Sequence, residues 1–284
     1  MTTAGPAHVV GAGLAGLAAA TALAEAGRPV RLYEASGHAG GRCRSYFDPE
    51  LGCRIDNGNH LLLAGNAAAQ DYLDRIGARG TLEGPLDAVF AFVDAATGER
   101  WALRPNRGAV PWWIGSGARR VPGTRAADYL AALSLRRAAA AATVAEVLDV
   151  RHPLFRRLWE PLCVAALYTG TERASARLFW RLLGETLGRG GAACRPLLPR
   201  IGLSESLVDP ALHRLRTLGA EIRFGTRLRG IGEADDRVRE LVFDDGPIAL
   251  APDAIAILAV PAATVSRLCH HRPEPLREAL RNRD

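Results

Sequence analysis

Gly11, Gly13 and Gly16, within His8-Val9-Val10-Gly11-Ala12-Gly13-Leu14-Ala15-Gly16, are spaced to receive an anion. Glycine at the first position permits a tight turn. At the second it lets backbone approach a pyrophosphate, and at the third it allows a helix to pack closely on a strand. Glu34 closes a second apolar run, Arg31-Leu32-Tyr33-Glu34, where a carboxylate can accept hydrogen bonds from ribose hydroxyls. A second glycine pair follows at Gly40-Gly41-Arg42, and then a turn-forming acidic stretch, Asp56-Asn57-Gly58-Asn59-His60. Together these residue types describe a site for a dinucleotide.

The elements that must position them are legible around the glycines. Val9 and Val10 read as a strand and residues 14–26 as a helix, whose N-terminus turns Leu14, Ala15 and Gly16 and the positive dipole end toward phosphate. Asn66 reads as the N-cap of a helix that Gly77 ends, with Tyr72, Leu73 and Ile76 on one face. Residues 86–105 form a hairpin about the turn 94–99. From Pro111 to about Arg200 the pattern is helical and apolar. Asp209-Pro210 reads as an N-cap followed by proline in the first turn. A strand-like segment over 219–231, a hairpin turning at Asp244-Asp245-Gly246 and an apolar parallel-type strand over 254–260 complete the pattern.

Composition narrows the class. With 284 residues and 48% hydrophobic content the chain can bury a sizeable core in about two domains. All 36 basic residues are arginine, which excludes a Schiff-base lysine, and the formal net charge is +6. No arginine run is interleaved with aromatics in a nucleic-acid module, so nucleic acid is not an expected partner. Pro111-Trp112-Trp113-Ile114 followed by Arg119-Arg120 suits a membrane interface, where indole rings and arginines meet anionic headgroups. Cys43, Cys53, Cys163, Cys194 and Cys269 are scattered without CxxC spacing, as in a reducing cytoplasm, and Cys269-His270-His271 is not expected to bind metal. Neither a signal peptide nor a transmembrane segment is expected.

The segment from Glu34 to Ser45 resembles the second glycine signature of the flavin amine oxidase and carotenoid desaturase superfamily. The resemblance implies FAD, with Gly40 and Gly41 under the diphosphate and Arg42 toward the flavin. It also implies Asn57 and Gly58 beside the isoalloxazine, and Leu228 pairing its backbone with the adenine. Asp56-Asn57-Gly58-Asn59-His60, the following leucines, and the stretch from Leu158 to Arg200 resemble the hydroxysqualene dehydroxylases of hopanoid biosynthesis. Members of that family usually have Asn-Thr where this chain has Tyr168-Thr169.

The expected fold is α/β. A Rossmann-like FAD-binding domain of glutathione-reductase type spans 1–60 and 201–262, and an inserted α+β substrate or cap domain spans 61–200. Residues 263–284 would begin a second substrate-domain segment. Nothing in them resembles the family's closing Ala-Gly-Asp turn and helix, so the chain is expected to be incomplete at its C-terminus and impaired alone, with a companion chain as one remedy. The implied reaction replaces the hydroxyl of a long isoprenoid alcohol by hydride from reduced flavin, under an elongated apolar pocket opening near Trp112 and Trp113. His60 and Asp56 are the candidate proton donors, with Tyr168 a weaker one. A phytoene-type desaturase and an inactive fragment are the alternatives; the missing lysine disfavours an amine oxidase. The expected location is cytoplasmic, peripheral at the inner face of the membrane.

Overall fold

The computed structural model describes residues 4–58, 60–234 and 237–268, so Cys269-His270-His271, Asn59 and most of the expected 263–284 segment lie outside the described residues. The described residues fall into two compact units. The first comprises those of Met1–His60, Gln70–Glu83 and Pro199–Asp284, and the second Leu61–Ala69 and Gly84–Leu198.

The first unit is built on a four-stranded parallel sheet. β1 (Ala7–Val10) and β2 (Val30–Tyr33) pair in the register Ala7 to Val30. Strand Glu221–Arg223 adds beside β2, and strand Ile255–Leu258 beside β1, with Ala7 opposite Ile255. β1 is buried along its whole length, whereas Ile255–Leu258 is half-buried. Helix α1 (Leu14–Glu25) buries Gly16, Leu17, Ala20, Thr21 and Ala24, a stripe of small and apolar residues at helical spacing that lets it lie close to its neighbours. Gly27 ends it in the left-handed region at φ 77°. A three-stranded antiparallel meander, Leu228–Ala234, Arg237–Phe243 and Gly246–Ala249, supplies Leu241 and Phe243 to a cluster with Val10, Tyr33 and Leu228.

Inside that sheet His8 is buried, its Nδ1 3.0 Å from the Tyr33 hydroxyl, and Tyr33 stacks on Phe243 at 4.5 Å. Burial first, and then the Arg31 guanidinium, push the His8 pKa below its ordinary value. The unfolded chain therefore takes up a proton before the native state does. Stability falls as pH drops below about 6.5 and is unaffected by this group above it. Thermal melts from pH 7.5 to 5 should show a loss on the acid side that His8→Gln reduces.

Several boundaries differ from expectation. Residues 70–83 belong to the first unit rather than the cap, because the Tyr72 hydroxyl donates to Leu207 O at 2.7 Å and Leu73 is completely buried. Asn66 does not cap the helix Ala67–Arg75 as read; its Oδ1 accepts from the Leu63 N–H at 2.8 Å. Asp209 is no N-cap either, since a π-helical turn, Ser204–Val208, runs directly into helix Asp209–Thr217. The wide turn precedes Pro210, as another, Phe155–Trp159, precedes Pro161. Proline has no N–H for the helical ladder and crowds the carbonyl one turn back, and a widened turn relieves both.

In the second unit, strands Phe90–Val93 and Arg100–Leu103 form the expected hairpin, with Asp94 accepting from the N–H groups of Ala96 and Thr97. The core is a chain of edge-on rings, from Trp113 through Tyr129 and Trp159 to Phe179. A cleft inside this unit holds about 230 Å³ and is lined by Asp128, Asp149 and His152 as well as Leu154, Phe155 and Trp159. Neither Trp112 nor Trp113 lines it.

Candidate functional site

The turn between β1 and α1 is held by its glycines. Gly11 lies at φ 100°, and a Cβ there would come within 2.5 Å of Ala259 O. A Cβ on Gly16 would stand 1.8 Å from Gly11 O, so the turn and the helix fit only without it. Gly13 is different. Its backbone (φ −72°, ψ 177°) suits any residue, and a Cβ there would meet nothing within 4 Å. Neither conformation nor protein packing demands glycine at this position. The empty volume beside it is a cradle that a side chain would fill.

Helix α1 begins with donors unspent. Its first intrahelical bond runs from Leu17 N–H to Gly13 O at 2.9 Å, which leaves the N–H groups of Leu14, Ala15 and Gly16 without a helical partner. No carboxylate stands in its first turn. Glu34 is fixed at the end of β2, its Oε2 accepting from the Ala12 N–H at 2.8 Å and its Oε1 from Ser36 N–H and Oγ–H at 2.9 and 3.0 Å. A carboxylate so held still has acceptor capacity for hydroxyls.

The second glycine pair comes directly alongside the first turn. Gly40 N–H donates to Ala12 O at 2.8 Å, Gly13 and Gly40 form a parallel bridge, and Gly41 at φ 57° would bring a Cβ to 3.6 Å from the Gly13 Cα. Arg42 follows, exposed, and its carbonyl receives the His60 Nε2–H at 3.2 Å and, at 3.5 Å, the Asn57 side-chain amide. Gly58 sits at φ 123°, 3.4 Å from His60 Nε2 to a notional Cβ, so His60 folds back past a residue without a side chain. Leu228 is buried at the start of its strand, close in sequence to Thr226, whose N–H donates to Glu34 O at 2.9 Å. Gly11, Gly13, Gly16, Glu34, Gly40, Gly41, Arg42, Asn57, Gly58 and His60 are thus brought to one loop cluster at one end of the sheet.

Asp56 also joins two elements. Its Oδ1 accepts from Ser45 Oγ–H at 2.6 Å and from Leu203 N–H at 3.0 Å, while Ser45 and Ser204 exchange N–H to Oγ bonds at 2.7 and 3.0 Å. Both of the Asp56 bonds are made by Oδ1. Asp56 is the clamp between the β-hairpin that contains it (Ser45–Asp48 with Cys53–Asp56) and the helix beginning near Leu203. Sequence reading missed Ser45, Ser204 and Gly202, where a Cβ would strike Ser45 Oγ at 2.6 Å. Only Ser45, the last residue of the segment that resembles the second glycine signature, carried a local signal.

Tyr168 lies in the second unit, 84% exposed, as the C-cap of helix Glu160–Leu167 at φ 51°. It is the one non-glycine residue at positive φ among the described residues. Asparagine, the residue that the resembling family carries there, tolerates this conformation better than tyrosine. Tyr168→Asn should stabilise the protein by about 0.5–1 kcal/mol, read as a small rise in melting temperature.

The donors at the start of α1, the cradle beside Gly13 and the carboxylate at the end of β2 fit a nucleotide diphosphate with its ribose. Among the described residues no group of three or more His, Cys, Asp or Glu side chains could hold a metal ion.

Comparison with known proteins names the cofactor. Hydroxysqualene dehydroxylases from Sinorhizobium fredii and Rhodopseudomonas palustris are each 44% identical over 92% of this chain. The chain spans 63% of the length of either relative. An oxidoreductase structure from Methanosarcina mazei superposes over 98% of this chain and 64% of its own, with a TM-score of 0.66 at 15% identity, which shows the fold. The family model for flavin containing amine oxidoreductases matches residues 14–284. The cofactor is a flavin, and the chain belongs to the flavin containing amine oxidoreductase family.

Proposed function

We infer that this protein is an FAD-dependent oxidoreductase of squalene and hopanoid biosynthesis, reducing hydroxysqualene to squalene. The observation that carries the reading is the 44% identity to hydroxysqualene dehydroxylases over 92% of the chain. When bound, reduced flavin would supply the hydride that replaces the departing hydroxyl. The chain's own residues bind and orient. The N–H groups of Leu14, Ala15 and Gly16 and the open backbone at Gly13 and Gly40-Gly41 receive the pyrophosphate. Glu34 would hold the adenosine ribose, the Leu228 backbone would pair with the adenine, and Arg42, Asn57 and Gly58 would line the flavin end.

The leaving oxygen needs a proton to depart as water. In our reading His60 carries it. Its Nε2–H is spent on the Arg42 carbonyl, so Nδ1 is the ring position left to take up and release a proton. Tyr168, a helix cap in the second unit, takes no proton-transfer role in this reading.

The substrate is a long isoprenoid hydrocarbon, and we place its conversion on the cytoplasmic side, at the membrane surface. No described helix is long and apolar enough to cross a membrane. The test is purified chain with reduced FAD and hydroxysqualene, products separated by mass. Squalene is the expected product, with phytoene left unconverted. Conversion of phytoene, or a product of hydroxysqualene other than squalene, would overturn the reading.

A further inference from the structure

The chain's positive charge is concentrated in one place. Between Arg104 and Arg137 stand seven arginines and one acid, Asp128, so this stretch carries +6, the formal net charge of the whole protein. The remainder holds 29 basic and 29 acidic residues and is neutral. Asp128 is already engaged, accepting from the Arg125 N–H at 2.7 Å.

The same stretch presents apolar side chains to solvent on rigid supports. Buried Asn106 donates from Nδ2 to Gly108 O and Val110 O, both at 2.9 Å, and its Oδ1 accepts from Trp113 N–H at 3.3 Å. The loop so pinned turns Trp113 inward and leaves Val110 75% and Trp112 57% exposed, with the Arg119 guanidinium 4.8 Å from the Trp112 ring. Trp113 meets Tyr129 edge-on at 5.3 Å, which joins the loop to the next element, Ala126–Arg137.

That element is twelve residues of 3₁₀ helix, long for its kind, and its three-residue period sorts the side chains. Tyr129, Ala132 and Leu135 form the buried ridge. Leu130, Leu133 and Arg136 form a ridge in solvent, with both leucines more than half exposed, and Arg137 lies beside it. Among the described residues neither Arg136 nor Arg137 has a carboxylate partner. Exposed leucines, an interfacial tryptophan and unpaired arginines in one segment match the chemistry of a bilayer surface, with apolar groups for the acyl boundary and cations for phosphate.

We propose that residues 104–137 are the membrane-docking surface of this protein, seated on a bilayer that contains anionic phospholipid. The inference rests on the charge and exposure of this surface. It does not depend on which alcohol or alkene the protein converts.

The experiment is co-sedimentation of the full chain with vesicles of phosphatidylcholine, alone or with a third phosphatidylglycerol. Binding is expected to the anionic vesicles and to weaken as salt rises. Arg136→Gln with Arg137→Gln should weaken it about thirtyfold, and Val110→Ser with Trp112→Ser at least about tenfold. Arg151→Gln, an exposed arginine of the same unit outside the stretch, should bind as the parent does. Melting curves confirm that each variant is folded. Equal binding to both vesicle types, no binding, or variants indistinguishable from the parent would overturn the proposal. So would retention on a soluble polyanion with no loss from the Val110 and Trp112 changes, which would point to nucleic acid or an acidic protein instead.

Discussion

Gly13→Val is expected to abolish flavin retention while leaving the melting temperature of the flavin-free protein where it was. The backbone at Gly13 is extended, within reach of any residue, and its Cβ direction is open. The valine side chain would occupy the volume where a pyrophosphate must approach the turn. Losing two charge-assisted hydrogen bonds, at about 1.5–3 kcal/mol each, weakens flavin affinity by about a hundredfold or more. Flavin absorbance after gel filtration and a melt of the apo form measure the two halves separately. A variant that keeps its flavin would show that the cradle is not the pyrophosphate site.

Gly16→Ala should do the opposite and damage the fold itself. The added methyl would lie 1.8 Å from Gly11 O and 3.2 Å from the Ala259 side chain, and no rotamer can move a backbone carbonyl. Either α1 or the turn must shift. Overpacking of this kind costs about 3 kcal/mol or more, equivalent to a fall in melting temperature of about 6–12 °C. Both variants lose flavin, but only this one loses stability, and that difference separates a ligand-contacting glycine from a packing glycine in one motif.

What the sequence makes legible is what acts locally. The strand, glycine turn and helix from Ala7 to Glu25, the acid at Glu34 and the pair at Gly40-Gly41 depend on near neighbours, and the structure brings them together as read. The structural bond of Asp56 was not legible, because its partner Leu203 lies far along the chain. Asp209-Pro210 misled for a related reason. Proline in a first turn usually marks a helix start, but here a widened turn carries the helix through it. Trp112 and Trp113 are neighbours of one type with opposite fates, decided by Asn106 and Tyr129 rather than by anything in the pair. The outward ridge of Ala126–Arg137 escaped notice because its period is three, and helical reading looks for three and six-tenths.

The order of strands in the parallel sheet has a consequence for synthesis. β1 and β2 leave the ribosome first and pair with each other, yet the outer partner of β2 is Glu221–Arg223 and that of β1 is Ile255–Leu258. Until nearly all of the described chain has emerged, the nascent protein carries a buried-type apolar ribbon with both edges bare. Parallel pairing across such separations closes slowly, and exposed edges are where nascent chains join one another. The yield of soluble protein should therefore respond to translation rate and to holdase chaperones more than to its equilibrium stability.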